Sequence, residues 1–206
     1  PRPVSSAASD VYKRQANCHV NVLQTQDHPQ FKTYAEELKW LTTDKTRMKW
    51  VANTIKDIST SGNTLILVDR ISAGEILEEQ IDNAVFVSGS TKNTDRKEQY
   101  DEISTATNKV IIATYGVAAV GINIPRIFNL VLIEPGKSFV RVIQSIGRGI
   151  RKAEDKDSVQ IWDITSSCKF AKRHLGARKK FYKEANYPYN IAVSYTHLRA
   201  HETSQH

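Results

Sequence analysis

Several features are scarce in this chain, and each scarcity excludes something. Its 206 residues include only two cysteines, Cys18 and Cys168, far apart in sequence and in no metal-ligand spacing. A disulfide-stapled secreted scaffold and a cysteine metal knuckle are both excluded, leaving two ordinary thiols suited to a reducing compartment. No apolar run approaches the length of a bilayer span, so no membrane partner is expected and the expected location is cytoplasmic. Internal repeats and low-complexity linkers are absent, which argues for one domain. The composition itself is ordinary for a globular chain, with 40% hydrophobic and 25% charged residues and a mean hydropathy of −0.45. The formal charge of +7, from 29 Lys and Arg against 22 Asp and Glu, allows a polyanionic partner without requiring one.

The two ends read differently from the middle. Neither residues 1–15 nor residues 192–206 carry a periodic apolar pattern. Asp10 to Gln15 can be encoded by GAT GTG TAT AAG AGA CAG, and the reverse complement of that DNA, in a shifted frame, encodes Val193-Ser194-Tyr195-Thr196-His197. Unrelated protein tails have no reason to be reverse complements. Both tails are therefore expected to be translated sequencing adapter and not native sequence.

Between them, apolar runs alternate with amphipathic stretches. Thr64-Leu65-Ile66-Leu67-Val68, Ala84-Val85-Phe86-Val87, Val110-Ile111-Ile112-Ala113-Thr114, Leu130-Val131-Leu132-Ile133 and Val159-Gln160-Ile161-Trp162 are short and mostly rich in β-branched residues. They read as strands, several buried on both faces. Met48, Val51, Ile55 and Ile58 repeat at helical spacing before a turn at Ser61-Gly62-Asn63, and Ser72-Ala73-Gly74-Glu75 has capping-box spacing ahead of Ile76, Leu77 and Ile81. The alternation predicts an α/β fold, a parallel sheet with helices on both faces. A helical lead-in is expected over residues 16–60 and the domain proper over 61–191. In such a sheet ligands bind where strands run out into loops at their carboxyl ends.

The most specific string is Gln144-Ser145-Ile146-Gly147-Arg148-Gly149-Ile150-Arg151. On a helix Gln144, Arg148 and Arg151 share one face, and Gly147 lets a ligand or another backbone come close. Two guanidiniums and an amide side by side suit a triphosphate, because arginine offers a permanently charged, planar fork of donors to phosphate oxygens.

This string resembles motif VI, Q-x-x-G-R-x-x-R, of superfamily 2 helicases and translocases. The residues before it agree in order: 111–125 resemble motif V, Thr64 to Asp69 the strand of motif IV, and Gly89 with Arg96 the glycine and arginine between them. Asp163, followed by His174, Arg178 and Tyr182 at four-residue intervals, resembles the closing strand and helix of the same domain. The likeness runs from about Thr46 to Tyr182 and is nearest to phage DNA helicases of the UvsW type. It implies a single RecA-like domain, the second of two between which ATP and Mg²⁺ are bound and ATP is hydrolysed. It further implies that Arg148 and Arg151 reach the γ-phosphate with Gln144 beside them. Gly121, Asn123 and Gly147 would lie near the nucleotide, and Thr114, Gly116, Arg70 and Ser90 near the nucleic-acid backbone. Asn123 stands where many relatives carry Asp, which replaces a carboxylate by an amide able to donate and accept. The implied partners are DNA or an RNA–DNA hybrid and the N-terminal RecA-like domain of the same parent. No resident metal site is implied in this chain.

Two strings imitate other phosphate-site parts. Gly136-Lys137-Ser138 looks like the end of a Walker A loop, but Val131 stands where that motif needs glycine, so a plain loop is expected. Asp101-Glu102 looks like a Walker B pair but follows a polar helical stretch, where solvated acids are expected. With no Walker A or B site, the chain by itself is expected to lack ATPase activity. In the last helical stretch Lys169, Lys172, Arg173, Arg178, Lys179, Lys180 and Lys183 are interleaved with an apolar stripe; a solvated face and a phosphate-contacting face both fit. Two rival functions stay open: a non-enzymatic nucleic-acid-binding module, and a doubly wound enzyme whose arginines grip a sugar nucleotide.

Overall fold

A computed structural model describes residues 17–119, 126–137, 143 and 158–197. Seven strands form one sheet: β1 (Asn17–Thr25), β2 (Thr64–Val68), β3 (Ala84–Val87), β4 (Val110–Thr114), β5 (Asn129–Ile133), β6 (Ser158–Ser166) and β7 (Tyr189–Ser194). Their spatial order is β3-β4-β2-β5-β6-β1-β7 and every pairing is parallel. Among the described residues the helices are α1 (Tyr34–Thr43), α2 (Lys45–Ser59), α3 (Ile71–Gln80), α4 (Asn93–Thr105), α5 (Tyr115–Ala119) and α6 (Lys169–Glu184).

The unbroken apolar strands follow from burial on both faces. Ile66, Val68, Val110, Ile112, Val131 and Ile133 point into one core with Met48, Val51, Ala52 and Ile55 of α2 and Ala73 and Leu77 of α3. Their neighbours Leu65, Leu67, Ile111, Ala113, Leu130 and Leu132 point into the other, with Ile103 of α4, Val117 and Ala118 of α5 and Leu175 and Tyr182 of α6. Each fully buried Leu or Ile is worth roughly 1.5–3 kcal/mol relative to exposure, so the central strands are the most costly place to disturb the fold.

The expected lead-in needs revision. Residues 17–25, expected within a helical segment, form β1, which sits between β6 and β7, and α2 is buried in the same core as the central strands. The alternation Cys18, Val20, Val22 against His19 and Asn21 is a strand period that the helical reading passed over. Likewise residues 192–194, expected in a tail, complete β7 by pairing with Leu23, Gln24 and Thr25. Thr196 and His197 then contact Asp27 and Asp44. The capping box at Ser72 is also not used: α3 starts two residues earlier, at Ile71 with Arg70 as its N-cap, whose carbonyl accepts from the amides of Ala73 and Gly74. Residues 1–15 lie outside the described residues.

Two buried asparagines stitch loops to the sheet. Asn63 donates to the carbonyls of Ile103 and Ala106 and accepts from the Lys109 amide. Asn129 donates to the Ile58 carbonyl and the Ser61 hydroxyl while accepting from the Trp162 indole. Both satisfy buried polar groups that would otherwise be expensive. Between them Gly62 takes φ 147° with the Phe128 ring 2.8 Å from where a Cβ would lie.

Candidate nucleotide and nucleic-acid interface

Because β3, β4 and β2 are neighbours and parallel, their carboxyl ends form a row. Thr114 ends β4 at the level of Val68 on β2, and Ser88 follows Val87, the β3 partner of Ala113. Strands lie about 4.8 Å apart, so the three loop starts span roughly 10 Å. The row holds the expected nucleic-acid residues Ser90, Thr114, Gly116 and Arg70.

Each has a defined local role. Thr114 Oγ1 accepts from the Val117 amide at 3.3 Å, capping the first turn of α5. Gly116 is exposed, and a Cβ there would meet only Thr114 Oγ1 at 4.0 Å, so its backbone is open to an incoming group. Ser90 is exposed and its hydroxyl lies 2.8 Å from that of Ser88. Arg96 braces this turn by donating to the Ser88 and Gly89 carbonyls at 2.9 Å each. Arg70 caps α3 and its guanidinium donates to the Ala35 carbonyl at 3.5 Å. A hydroxyl, an open amide and a guanidinium in one row can hold phosphate oxygens and carry no base-reading pattern.

Gln144, Gly147, Arg148, Arg151, Gly121 and Asn123 lie outside the described residues. The residue before Gln144 does not: Ile143 is 3% exposed and sits in the core face that also holds Val117, Ala118 and Leu175.

Next to the row lies an ionic network that sequence reasoning found only in part. Arg47 of α2 is fully buried and donates to Glu134 Oε1 at 2.6 Å, to the Leu41 carbonyl at 2.6 Å and to Thr25 Oγ1. Arg178 of α6 donates to both oxygens of Asp163 at 2.8 and 2.9 Å and to the Pro135 carbonyl at 2.5 Å. Tyr182 adds a bond to Asp163 at 2.7 Å. Tyr115, the residue after Thr114, donates its hydroxyl to the Ile133 carbonyl at 3.0 Å. Residues 133–135, at the exit of β5, are thus held by α2, α5 and α6 together. Glu134 itself takes φ 43°, a left-handed conformation uncommon for a side-chain-bearing residue and kept only where the surroundings impose it. Burial pushes its carboxyl up to about 7 against the opposing pull of Arg47 and Arg178. Its place in a basic run groups Arg178 with the surface cations, but the structure buries it in the core, where only a paired guanidinium is tolerated. The four-residue intervals from His174 to Arg178 to Tyr182 were the available signal for that face.

The two imitations resolve as expected. Gly136 and Lys137 lie in the loop after β5, with Gly136 against the Tyr34 hydroxyl, and Ser138 is outside the described residues. Asp101 and Glu102 are exposed on α4, Glu102 pairing with Lys109 at 3.0 Å. Among the described residues no group of three or more His, Cys, Asp or Glu is arranged to hold a metal, and no helix is long and apolar enough to cross a membrane. Cys168 is buried and its thiol is pushed up to about 11, chiefly by desolvation, so it stays protonated and unreactive at neutral pH.

Residues 46–153 match the helicase conserved C-terminal domain. The chain belongs to that family, within superfamily 2. The chain is 30% identical over 155 residues to the ATP-dependent DNA helicase uvsW of Enterobacteria phage T4, covering 73% of this chain and 31% of that protein. The crystal structure of T4 UvsW superposes on it with a TM-score of 0.74 at 22% identity, over 87% of this chain and 42% of that one. The C-terminal domain of the DEAD-box protein Dbp5 superposes with a TM-score of 0.56 at 17% identity, over 87% and 91% of the two chains. The fold is therefore the RecA-like second domain of a helicase, and the chain spans less than half the length of the UvsW proteins it matches.

Proposed function

We propose that this domain is the arginine-supplying half of an ATP-dependent DNA helicase that unwinds or remodels branched DNA. The observation that carries the reading is the row of strand ends, after which Ser90, Thr114 with Gly116, and Arg70 follow on neighbouring parallel strands, together with the burial of Ile143, the residue before Gln144, in the core. Thr114, Gly116, Ser90 and Arg70 hold the DNA backbone. Arg148 and Arg151 approach the γ-phosphate from across a cleft, Gln144 beside them, and neutralise charge that develops as the phosphoryl group leaves. Gly121, Asn123 and Gly147 line the nucleotide. An N-terminal RecA-like domain of the same parent supplies the phosphate loop and the acid that holds Mg²⁺; the described residues of this domain carry no carboxylate cluster suited to that ion. ATP with Mg²⁺ provides the free energy of the cycle. In a phage-encoded parent, the work would take place in the host cytoplasm.

The test is the two-domain parent. Arg148→Ala and Arg151→Ala should each lower DNA-stimulated ATPase by about 10³ or more while ATP still binds, the scale on which arginine fingers act. Residues 16–191 alone should show no magnesium-dependent ATPase. A parent whose ATPase survives both arginine changes would overturn the reading and favour a DNA-binding module or a sugar-nucleotide enzyme.

A further inference from the structure

Helix α6 carries two different faces. Ala171, Leu175, Arg178 and Tyr182 are buried against the sheet and α1. On the opposite side Lys169, Lys172, Arg173, Lys180 and Lys183 are exposed and Lys179 is half-buried, and at 100° per residue these six occupy a single stripe. We propose that this stripe binds the phosphate backbone of a DNA duplex, as a second contact separate from the row of strand ends. The proposal rests on the reading that the domain acts on DNA.

Four observations support it. First, the stripe is not neutralised within the chain: among the described residues none of the six amines or guanidiniums lies within ion-pairing distance of a carboxylate, and the one acid of α6, Glu184, stands at its last position. Lys109, by contrast, pairs with Glu102. Second, two of the cations are pre-placed, with Lys169 Nζ and the Arg173 guanidinium 5.5 and 5.7 Å from the centre of the Phe170 ring. Third, Gly176 lies in the middle of the stripe, exposed, with nothing within 4 Å of where its Cβ would be. A glycine in mid-helix weakens the helix, and among the described residues no packing requires it here. It leaves a flat spot where another molecule's backbone can approach between the cations. Fourth, the positive field continues to the strand-end side of the domain: His174 is held below its ordinary value by burial and then by Lys137, Arg178 and Arg173, and Lys137 belongs to the loop that leaves β5.

The stripe lacks what an acidic protein partner would need. Protein interfaces are organised around an apolar or aromatic centre, and this one has glycine there. Lys169 to Lys183 spans about 21 Å at the helical rise, enough to reach phosphates on both sides of a groove about 12 Å wide.

The experiment uses the 206-residue chain and a mixed-sequence DNA duplex, with binding followed by fluorescence anisotropy across a salt series. Each phosphate contact contributes about 0.9 to the slope of log K against log salt. Lys172→Ala/Lys180→Ala/Lys183→Ala should therefore reduce that slope by about 2 to 3, while the charge-matched control Lys45→Ala/Lys49→Ala/Lys56→Ala on α2 leaves it unchanged. Gly176→Leu, which changes no charge, should weaken binding by about threefold or more at fixed salt with the slope preserved. All of these positions are exposed or half-buried and thermal melting checks that the variants fold. An unchanged slope in the α6 triple variant overturns the proposal, as does absence of duplex binding by the chain at low salt. So does poly-glutamate displacing the duplex as well as competitor DNA does, charge for charge, which would make the stripe an acidic-protein surface. Failure of the stripe is separable from failure of the functional reading: the first appears in the salt slope of this chain, the second in retained ATPase of the Arg148→Ala parent.

Discussion

Arg178 and Asp163 form a two-pronged ion pair in which both side chains are almost completely buried, and the third nitrogen of the same guanidinium holds the carbonyl of Pro135. One arginine thereby joins the closing helix, the sixth strand and the exit of the fifth. That exit leads directly toward the segment with the motif VI arginines.

Removing one partner should expose the cost of a stranded buried charge. Among the described residues Arg178→Met leaves the Asp163 carboxylate with Tyr182 as its side-chain hydrogen-bond partner, and should destabilise the domain by about 3–5 kcal/mol in urea unfolding. The double variant Arg178→Met/Asp163→Leu should recover much of that loss, because neither charge is then buried unpaired. A double variant no more stable than Arg178→Met would show that the pair contributes mainly through its geometry.

Glu134 makes the stability depend on pH with a defined sign. Its carboxyl titrates near 7 in the fold and near 4.5 as an ordinary glutamate, so between those values the folded chain holds a proton that the unfolded chain has released. Raising the pH through this window therefore removes stability, by at most about 3 kcal/mol, and the loss levels off above the folded value. Denaturant midpoints from acid to neutral pH should fall in the wild type along this course, and Glu134→Gln should flatten it.

Glu37 of α1 accepts from the amides of Phe170 and Ala171 at 3.0 and 2.7 Å, at the first turn of α6, whose own N-cap Cys168 makes no side-chain capping bond. Glu37→Ala should cost about 1–2 kcal/mol, the range for losing a cap or a charge at a helix N-terminus. Chemical denaturation measures it, and exchange protection should fall first in the opening turn of α6.

Gly62→Ala combines two penalties, a φ of 147° and a Cβ placed against the Phe128 ring. About 1–3 kcal/mol of lost stability is expected, larger than for an alanine introduced at the open Gly89.

Residues 192–206 are proposed to be non-native, and their removal is expected to be mild. None of residues 191–197 is buried, although 192–194 complete an edge strand. Residues 16–191 should unfold in one cooperative transition with a midpoint close to that of the whole chain, as circular dichroism melting would show. Loss of cooperativity would mean that the edge strand matters more than its exposure suggests.

The central strands were readable from the chain because burial on both faces leaves an unbroken apolar run that no other element produces. Thr64–Val68 and Val110–Thr114 are the examples, whereas Ala84–Val87 is an edge strand in which only Val87 is buried, readable from its apolar run alone. The motif V and VI strings were readable for a different reason: their chemistry lies in residue types at short, fixed spacings, and such spacing survives without knowledge of the fold. β1 was harder, because its side chains are a mixture of polar and apolar groups and its hydrogen-bond partners lie about 140 residues away. Nothing local marks Arg47 as the partner of Glu134 or Glu37 as the cap of α6, and Arg178 is set apart from the surface lysines only by its four-residue spacing to His174 and Tyr182. Those roles depend on which elements the parallel topology brings together at the carboxyl edge of the sheet. The amino-acid pattern alone determined an α/β domain with a parallel sheet, and the resemblance of its motifs to those of superfamily 2 helicases set the expectation of the family, which the match over residues 46–153 shows. Only the tertiary structure decided which charges are buried in ion pairs and which remain exposed, because burial depends on neighbours that sequence distance does not reveal.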